Sequence, residues 1–155
     1  MAAATGVVLL VAGCGGEGGS SSGGSGSKGV KLDAATVTKE IDTAATKAGF
    51  TKDPSIDTVE PELRACMVNW AADDPGEAAD PHKSFADAIA ALVKAGWTEE
   101  KSTRKGDTEM KILAKGDWKI RSASDLGAGI KAVVFAGSSE SKECAELFIA
   151  ELGKS

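Results

Sequence analysis

The chain has 155 residues, a formal net charge of −5, 42% hydrophobic residues and 5% aromatics. Enough apolar material is present for one domain of ordinary size with its own core. The acidic balance excludes a general nucleic-acid-binding role, which requires a basic footprint, so no nucleic-acid partner is expected.

The first element in chain order is the stretch Ala2 to Gly13, uncharged and rich in Val, Leu and Ala. It is too short to cross a bilayer as a helix, which takes about 20 apolar residues. An apolar core followed by small residues reads as an exported, cleaved signal. The run Val11-Ala12-Gly13-Cys14 resembles the lipobox of bacterial lipoprotein signal peptides. It departs from that family in having no Lys or Arg before the apolar run. The resemblance implies that Cys14 is acylated on its sulfur and becomes the first residue of the mature protein. It further implies the membrane as a partner through that lipid, with the protein on the outer, extracytoplasmic face. One acyl chain holds a protein only marginally, whereas two hold it firmly at about 0.8 kcal/mol per buried CH₂. The diacylglyceryl group of family lipoproteins meets that condition. The alternative for Cys14 is an ordinary buried thiol, which leaves the following Gly/Ser tract unexplained. Over the remainder, the high Ala, Gly, Asp and Thr content looks like small lipoproteins of high-GC Gram-positive bacteria.

The tract from Gly15 to about Lys31 holds nothing from which a core is built, so a flexible tether of roughly 17 residues with a reach of about 23 Å is expected. The expected division is therefore a signal peptide over 1–13, a lipidated cysteine and Gly/Ser tether over 14–31, and a single α+β domain over 32–155. With Cys14 lipidated, Cys66 and Cys144 remain. Outside the cytoplasm two such thiols are most simply a disulfide; two unpaired buried thiols are the alternative. The bridge would close a loop of roughly 78 residues, worth about 4.5 kcal/mol in the chain-entropy model.

Asp33 reads as a helix N-cap, followed by Val37, Ile41, Ala44, Ala45 and Ala48 at helical spacing and a stop at Gly49. Leu63 to Ala71 alternates as a strand, with Cys66, Val68 and Trp70 on one side. A turn-rich acidic loop (Asp73, Asp74, Glu77, Asp80) leads to a second helix. Asp80 or Ser84 can cap it, Pro81 suits its first position, and its stripe is Phe85, Ala88, Ile89, Leu92 and Val93. Beyond Trp97 the period becomes two. Breaks at Lys105-Gly106-Asp107, Lys115-Gly116-Asp117 and Gly127-Ala128-Gly129 mark hairpin turns. They divide strands near Thr98–Arg104, Thr108–Ala114, Trp118–Ala123 and Ile130–Ala136. Met110, Ile112 and Ala114 are expected in the core on the second of these, and Trp118 and Ile120 on the third. A last helix capped by Ser139 or Ser141 has Cys144, Leu147, Phe148, Ile149 and Leu152 as its apolar side. The order α-β-α-β-β-β-β-α indicates an α+β fold, an antiparallel sheet with helices packed on one face. Both early helices end in Ala-Gly-aromatic (Phe50, Trp97), which two similar helix stops explain without a duplication.

No P-loop, dinucleotide fingerprint or H-E-x-x-H pattern occurs, so no cofactor and no metal are expected. His82 lies in the first turn of a helix with no assembled catalytic partners, and no catalytic residue is assigned. The acidic loop offers oxygens to a hard cation, but its spacing is not that of an EF-hand and a solvated loop explains it. If Trp118 and Ile120 point inward, alternation turns Lys119 and Arg121 outward, with Lys111 and Lys131 by the same reasoning. Lys111, Lys119, Arg121 and Lys131 are thus a candidate patch for anionic ligands; the ordinary wet face of an antiparallel sheet is the alternative. Trp97, at a helix exit, is the tryptophan expected to be exposed. The reading is a lipid-anchored envelope protein acting as a non-catalytic module that binds another envelope protein or an anionic envelope component. The competing readings are a small envelope enzyme and a carrier with a helix–sheet cavity lined by Leu92, Trp97 and Phe148.

Overall fold

Helix α1 (Ala34–Lys47) begins where the Asp33 carboxylate accepts the Thr36 backbone N–H at 2.7 Å, satisfying one of the free donors at a helix start. The computed structural model describes residues 32–56, 58–72, 80–127 and 131–153. The signal stretch, Cys14 and the Gly/Ser tract lie outside those residues, as do Asp73, Asp74, Glu77, Ala128 and Gly129. Along α1, Val37, Ile41, Ala44 and Ala45 are buried. A fully buried aliphatic side chain contributes about 1.5–3 kcal/mol, against a few tenths for a surface pair, so packing holds this helix in place.

Helix α2 (Pro81–Lys94) starts the same way, with Asp80 accepting from Lys83 N–H at 3.1 Å and Pro81 in the first turn. Phe85, Ala88, Ile89 and Leu92 face inward. Val93, expected beside them, is 45% exposed, because Ile89 and Leu92 already define the contact stripe. Both helices stop by one device. Gly49 and Gly96 take φ of +96° and +99°, and the next residue reaches back: Phe50 N–H to Ala45 O and Trp97 N–H to Leu92 O, both 3.1 Å. This is the glycine-terminated helix end that returns a following apolar side chain to the helix. It delivers Phe50 and Trp97 into the core. Trp97 is therefore buried and not exposed as its position at a helix exit suggested.

The five strands are β1 (Met67–Ala72), β2 (Thr98–Lys105), β3 (Thr108–Lys115), β4 (Trp118–Asp125) and β5 (Ala132–Ser139). They form one antiparallel sheet in the order β1-β5-β4-β3-β2. The fold is α+β, as the element pattern indicates. The expected first strand begins later than its alternation suggests, since Pro61–Leu63 is a 3-10 turn and Cys66 lies in the turn after it. The segment before it lies along β1. Asp53 N–H donates to Ala71 O at 2.8 Å and Asn69 Nδ2 to Ile56 O at 2.9 Å, which occupies part of that edge strand. At the other edge, β2 is exposed throughout and rich in charge, a composition that discourages edge-to-edge pairing.

Register settles which side of β3 is inside. Gly116-Asp117 is a two-residue turn that pairs Lys115 with Trp118 and therefore Leu113 with Ile120. Trp118 is buried and its indole N–H donates to Leu32 O at 2.9 Å, so Leu113 enters the core with it. Met110, Ile112 and Ala114 fall on the opposite, open face, and Met110 is 51% exposed. The expectation that those three fill the core is corrected by this one-residue choice of alternation. Helix α3 (Lys142–Leu152) is capped by Ser141, which accepts from Cys144 N–H at 3.3 Å. It packs by the Pro61–Leu63 turn, and Cys144 is its buried residue. Ile149 and Leu152 are 71% and 78% exposed, against the expectation that they form its inner side.

Candidate functional site

All three tryptophans tie the sheet side of the molecule to α1 or the residues just before it. Trp70 Nε1 donates to Asp42 at 3.0 Å, Trp97 Nε1 to Glu40 at 2.7 Å, and Trp118 Nε1 to Leu32 O. Glu40 is the centre of a larger node. Its second carboxylate oxygen accepts from Lys115 Nζ at 2.6 Å. The same ammonium donates to Ala95 O at 2.8 Å and lies 5.8 Å from the centroid of the Trp97 ring. Sequence reasoning gave no sign of this node, since Glu40, Ala95, Trp97 and Lys115 come from α1, the end of α2, the loop after it and β3.

Above the node, α1 and α2 enclose an open groove of about 650 Å³. Ala44, Ala91 and Ala95 keep its walls short, Thr43 offers a hydroxyl, and Lys39, Lys47 and Lys94 stand around it; the hydroxyl of Thr36, also in the lining, is engaged by Asp33. Glu40 is its acid, and both carboxylate oxygens are already engaged. Electrostatically the groove is cationic on a protein that is acidic overall.

The four residues expected as a cationic sheet face are not brought together. Lys111 stands opposite Ser122, a buried residue of the helix-covered face, and its ammonium meets Glu99 at 3.1 Å and Glu109 at 3.4 Å. The same turn that puts Leu113 inside causes this. Lys119 and Arg121 do lie on the open face. Lys119 reaches Glu140 at 3.3 Å and Glu100 at 3.7 Å. The Glu140 contact, with the charge of Glu100 beside it, holds its pKa above the ordinary lysine value. Lys131 is exposed just before β5. The open face of this sheet is therefore mixed in charge.

Cys66 and Cys144 are bonded, with their Cα atoms 5.5 Å apart, which pins α3 to the turn preceding β1. His82 is partly buried in the first turn of α2, and its Nδ1 has no hydrogen-bond partner among the described residues. Asp80, the described member of the acidic loop, serves as the α2 cap.

The fold and groove thus define a disulfide-stapled α+β domain, two helices on one face of a meander sheet completed by β1. No family model matches the chain, and no curated protein matches it in sequence. Among solved structures, the crystal structure of LppA from Mycobacterium tuberculosis aligns over 67% of this chain and 73% of its own. The identity is 13% and the TM-score 0.38, a likeness that establishes neither a shared fold nor a shared role.

Proposed function

We propose that this chain is a lipid-anchored protein of the extracytoplasmic face and that its domain is a non-catalytic binding module of the cell envelope. The observation that carries the reading is how the cysteines are used. Pairing Cys66 with Cys144 accounts for two of three and leaves Cys14, the residue that closes the lipobox-like run. A stapled domain behind a Gly/Ser stretch suits a compartment in which disulfides persist. The carrier reading needs a hollow bounded by Leu92, Trp97 and Phe148. Leu92 and Trp97 instead lie packed in the core cluster with Phe85, Phe135 and Ile41. Partners of such a module are another envelope protein or an anionic envelope component.

Cys14→Ser tests the anchor. The unaltered protein should fractionate with membranes and carry the mass of a diacylglyceryl adduct, and the variant should be released without it. A variant that stays with the membrane at unchanged electrophoretic mobility would overturn the proposal.

A further inference from the structure

The α1–α2 groove has the chemistry of an anion site, and its surroundings point to one occupant. Lys39 and Lys47 stand on α1 and Lys94 on the last turn of α2. None of the three makes an ion pair or side-chain hydrogen bond among the described residues, which is true also of Lys101, Lys105 and Lys131 on the sheet side; what distinguishes Lys39, Lys47 and Lys94 is that they stand around one groove. The Lys115–Glu40 pair and the Trp97 N–H neutralise the groove's acid from below. What remains around the groove is three lysines, the Thr43 hydroxyl and a floor of alanines, with the Thr36 hydroxyl engaged by the Asp33 carboxylate at the helix start. Lys47 and Lys94 also complement the negative ends of their helices; that role needs neither Lys39 nor a shared groove.

We infer that this groove binds the phosphate groups of anionic lipid headgroups, so that the helical layer of the domain lies against the membrane that holds Cys14. The source of the headgroups rests on the anchored reading above; the groove itself does not. The wall formed by α1 begins close after Leu32, the first described residue beyond the Gly/Ser run. A Gly/Ser chain of roughly 17 residues reaches about 23 Å, and a helix the length of α1 spans about 21 Å. Every lysine of the groove is therefore within reach of the surface. Tethering makes the second contact intramolecular and raises the effective headgroup concentration without new contacts. The net charge of −5 does not oppose this, because at physiological salt charges farther than about 8 Å from the surface are largely screened. Anchoring by a lipid plus a local basic patch is a general two-signal arrangement.

The test uses the full chain carrying Cys14→Ser, so that no lipid contributes, with sedimentation on vesicles of phosphatidylglycerol and phosphatidylcholine against phosphatidylcholine alone, at about 0.15 M salt, where the rest of the protein's charge is screened. Selective binding to the anionic vesicles is expected. A groove triple, Lys39→Gln, Lys47→Gln and Lys94→Gln, should weaken it on the order of a hundredfold, about fivefold per lysine. The corresponding Lys→Arg triple should retain it. A sheet-side triple of equal charge change, Lys101→Gln, Arg121→Gln and Lys131→Gln, should cost severalfold at most. No preference for anionic vesicles, or equal losses in the two triples, would overturn the inference. Displacement by inorganic phosphate at constant ionic strength would give the groove to soluble phosphate and overturn the membrane as its occupant. None of these outcomes bears on whether Cys14 carries lipid, which fractionation reads separately.

Discussion

Gly137 sits on β5 between Val68 of β1 and Ile120 of β4, under the first turns of α1. A Cβ at this position would lie 2.5 Å from Val68 Cγ2, 3.6 Å from Val37 Cγ1 and 3.7 Å from Trp118 Cε3. Carbon atoms pack best at about 3.5–4.0 Å, so the overlap with Val68 is about 1 Å while the other two contacts are ordinary. Val68 is buried, and a β-branched side chain is stiff at χ1, so it has little room to turn away. Overpacking of this kind costs about 1–3 kcal/mol, offset by about 0.5–1 kcal/mol for removing a strand glycine. Gly137→Ala should therefore destabilise the domain by about 1–2 kcal/mol, roughly 3–6 °C in Tm. Val68→Ala alone should cost about 2 kcal/mol as a truncation in the core. Combined, the two should cost less than their sum by about 1–2 kcal/mol, because the clashing methyl is gone. Urea unfolding followed by tryptophan fluorescence, with the disulfide intact, measures all four corners of the cycle. A Gly137→Ala protein as stable as the parent, or strictly additive costs, would refute the close-approach reasoning.

Replacing Cys66 and Cys144 by serine removes a bridge across a sequence separation of 78 and should cost about 4.5 kcal/mol by loop entropy. The parent in reductant should melt with the variant, and a loss under about 1 kcal/mol counts against the bridge as a staple. The Thr36 hydrogen bonds hold the Asp33 carboxyl below its ordinary pKa. Its contribution is thus present above the unfolded pKa and fades as pH falls through the folded one. Asp33→Ala should lower Tm at pH 7, and the gap to the parent should narrow as the pH falls into the acid range; a gap constant with pH would show that charge plays no part. Trp97→Phe keeps a ring but removes the donor to Glu40, and should cost about 1.5 kcal/mol for a hydrogen bond to a charged group. Unchanged stability by chemical denaturation would mean that Lys115 alone satisfies Glu40.

Most of the element order was legible because it depends on local signals. Asp33 and Asp80 cap, Gly49 and Gly96 stop, and Gly106 and Gly116 turn, each through residues adjacent in sequence. The side of β3 was not legible, since Met110-Ile112-Ala114 is the more apolar alternation and Leu113 stands alone on the other. The register, imposed by the turn before Trp118, outweighs composition there, and it also removes Lys111 from the face of Lys119 and Arg121. The apolar residues of α3 misled for a different reason. A helical stripe shows that a helix can bury one side, but Ile149 and Leu152 stay largely exposed. The groove was invisible because its lysines are separated by a strand, two turns and most of a helix, and only the packing of α1 on α2 makes them neighbours.

The place of β5 has a consequence for how the polypeptide matures. Its partners are the earliest strand on one flank and the preceding meander strand on the other, so β1 has no neighbouring strand until residues 132–139 arrive. The covalent clasp between positions 66 and 144 closes at the same seam. The β1–β5 seam and its disulfide therefore form only once residues 132–144 are available. Contacts so far apart in sequence make folding slow.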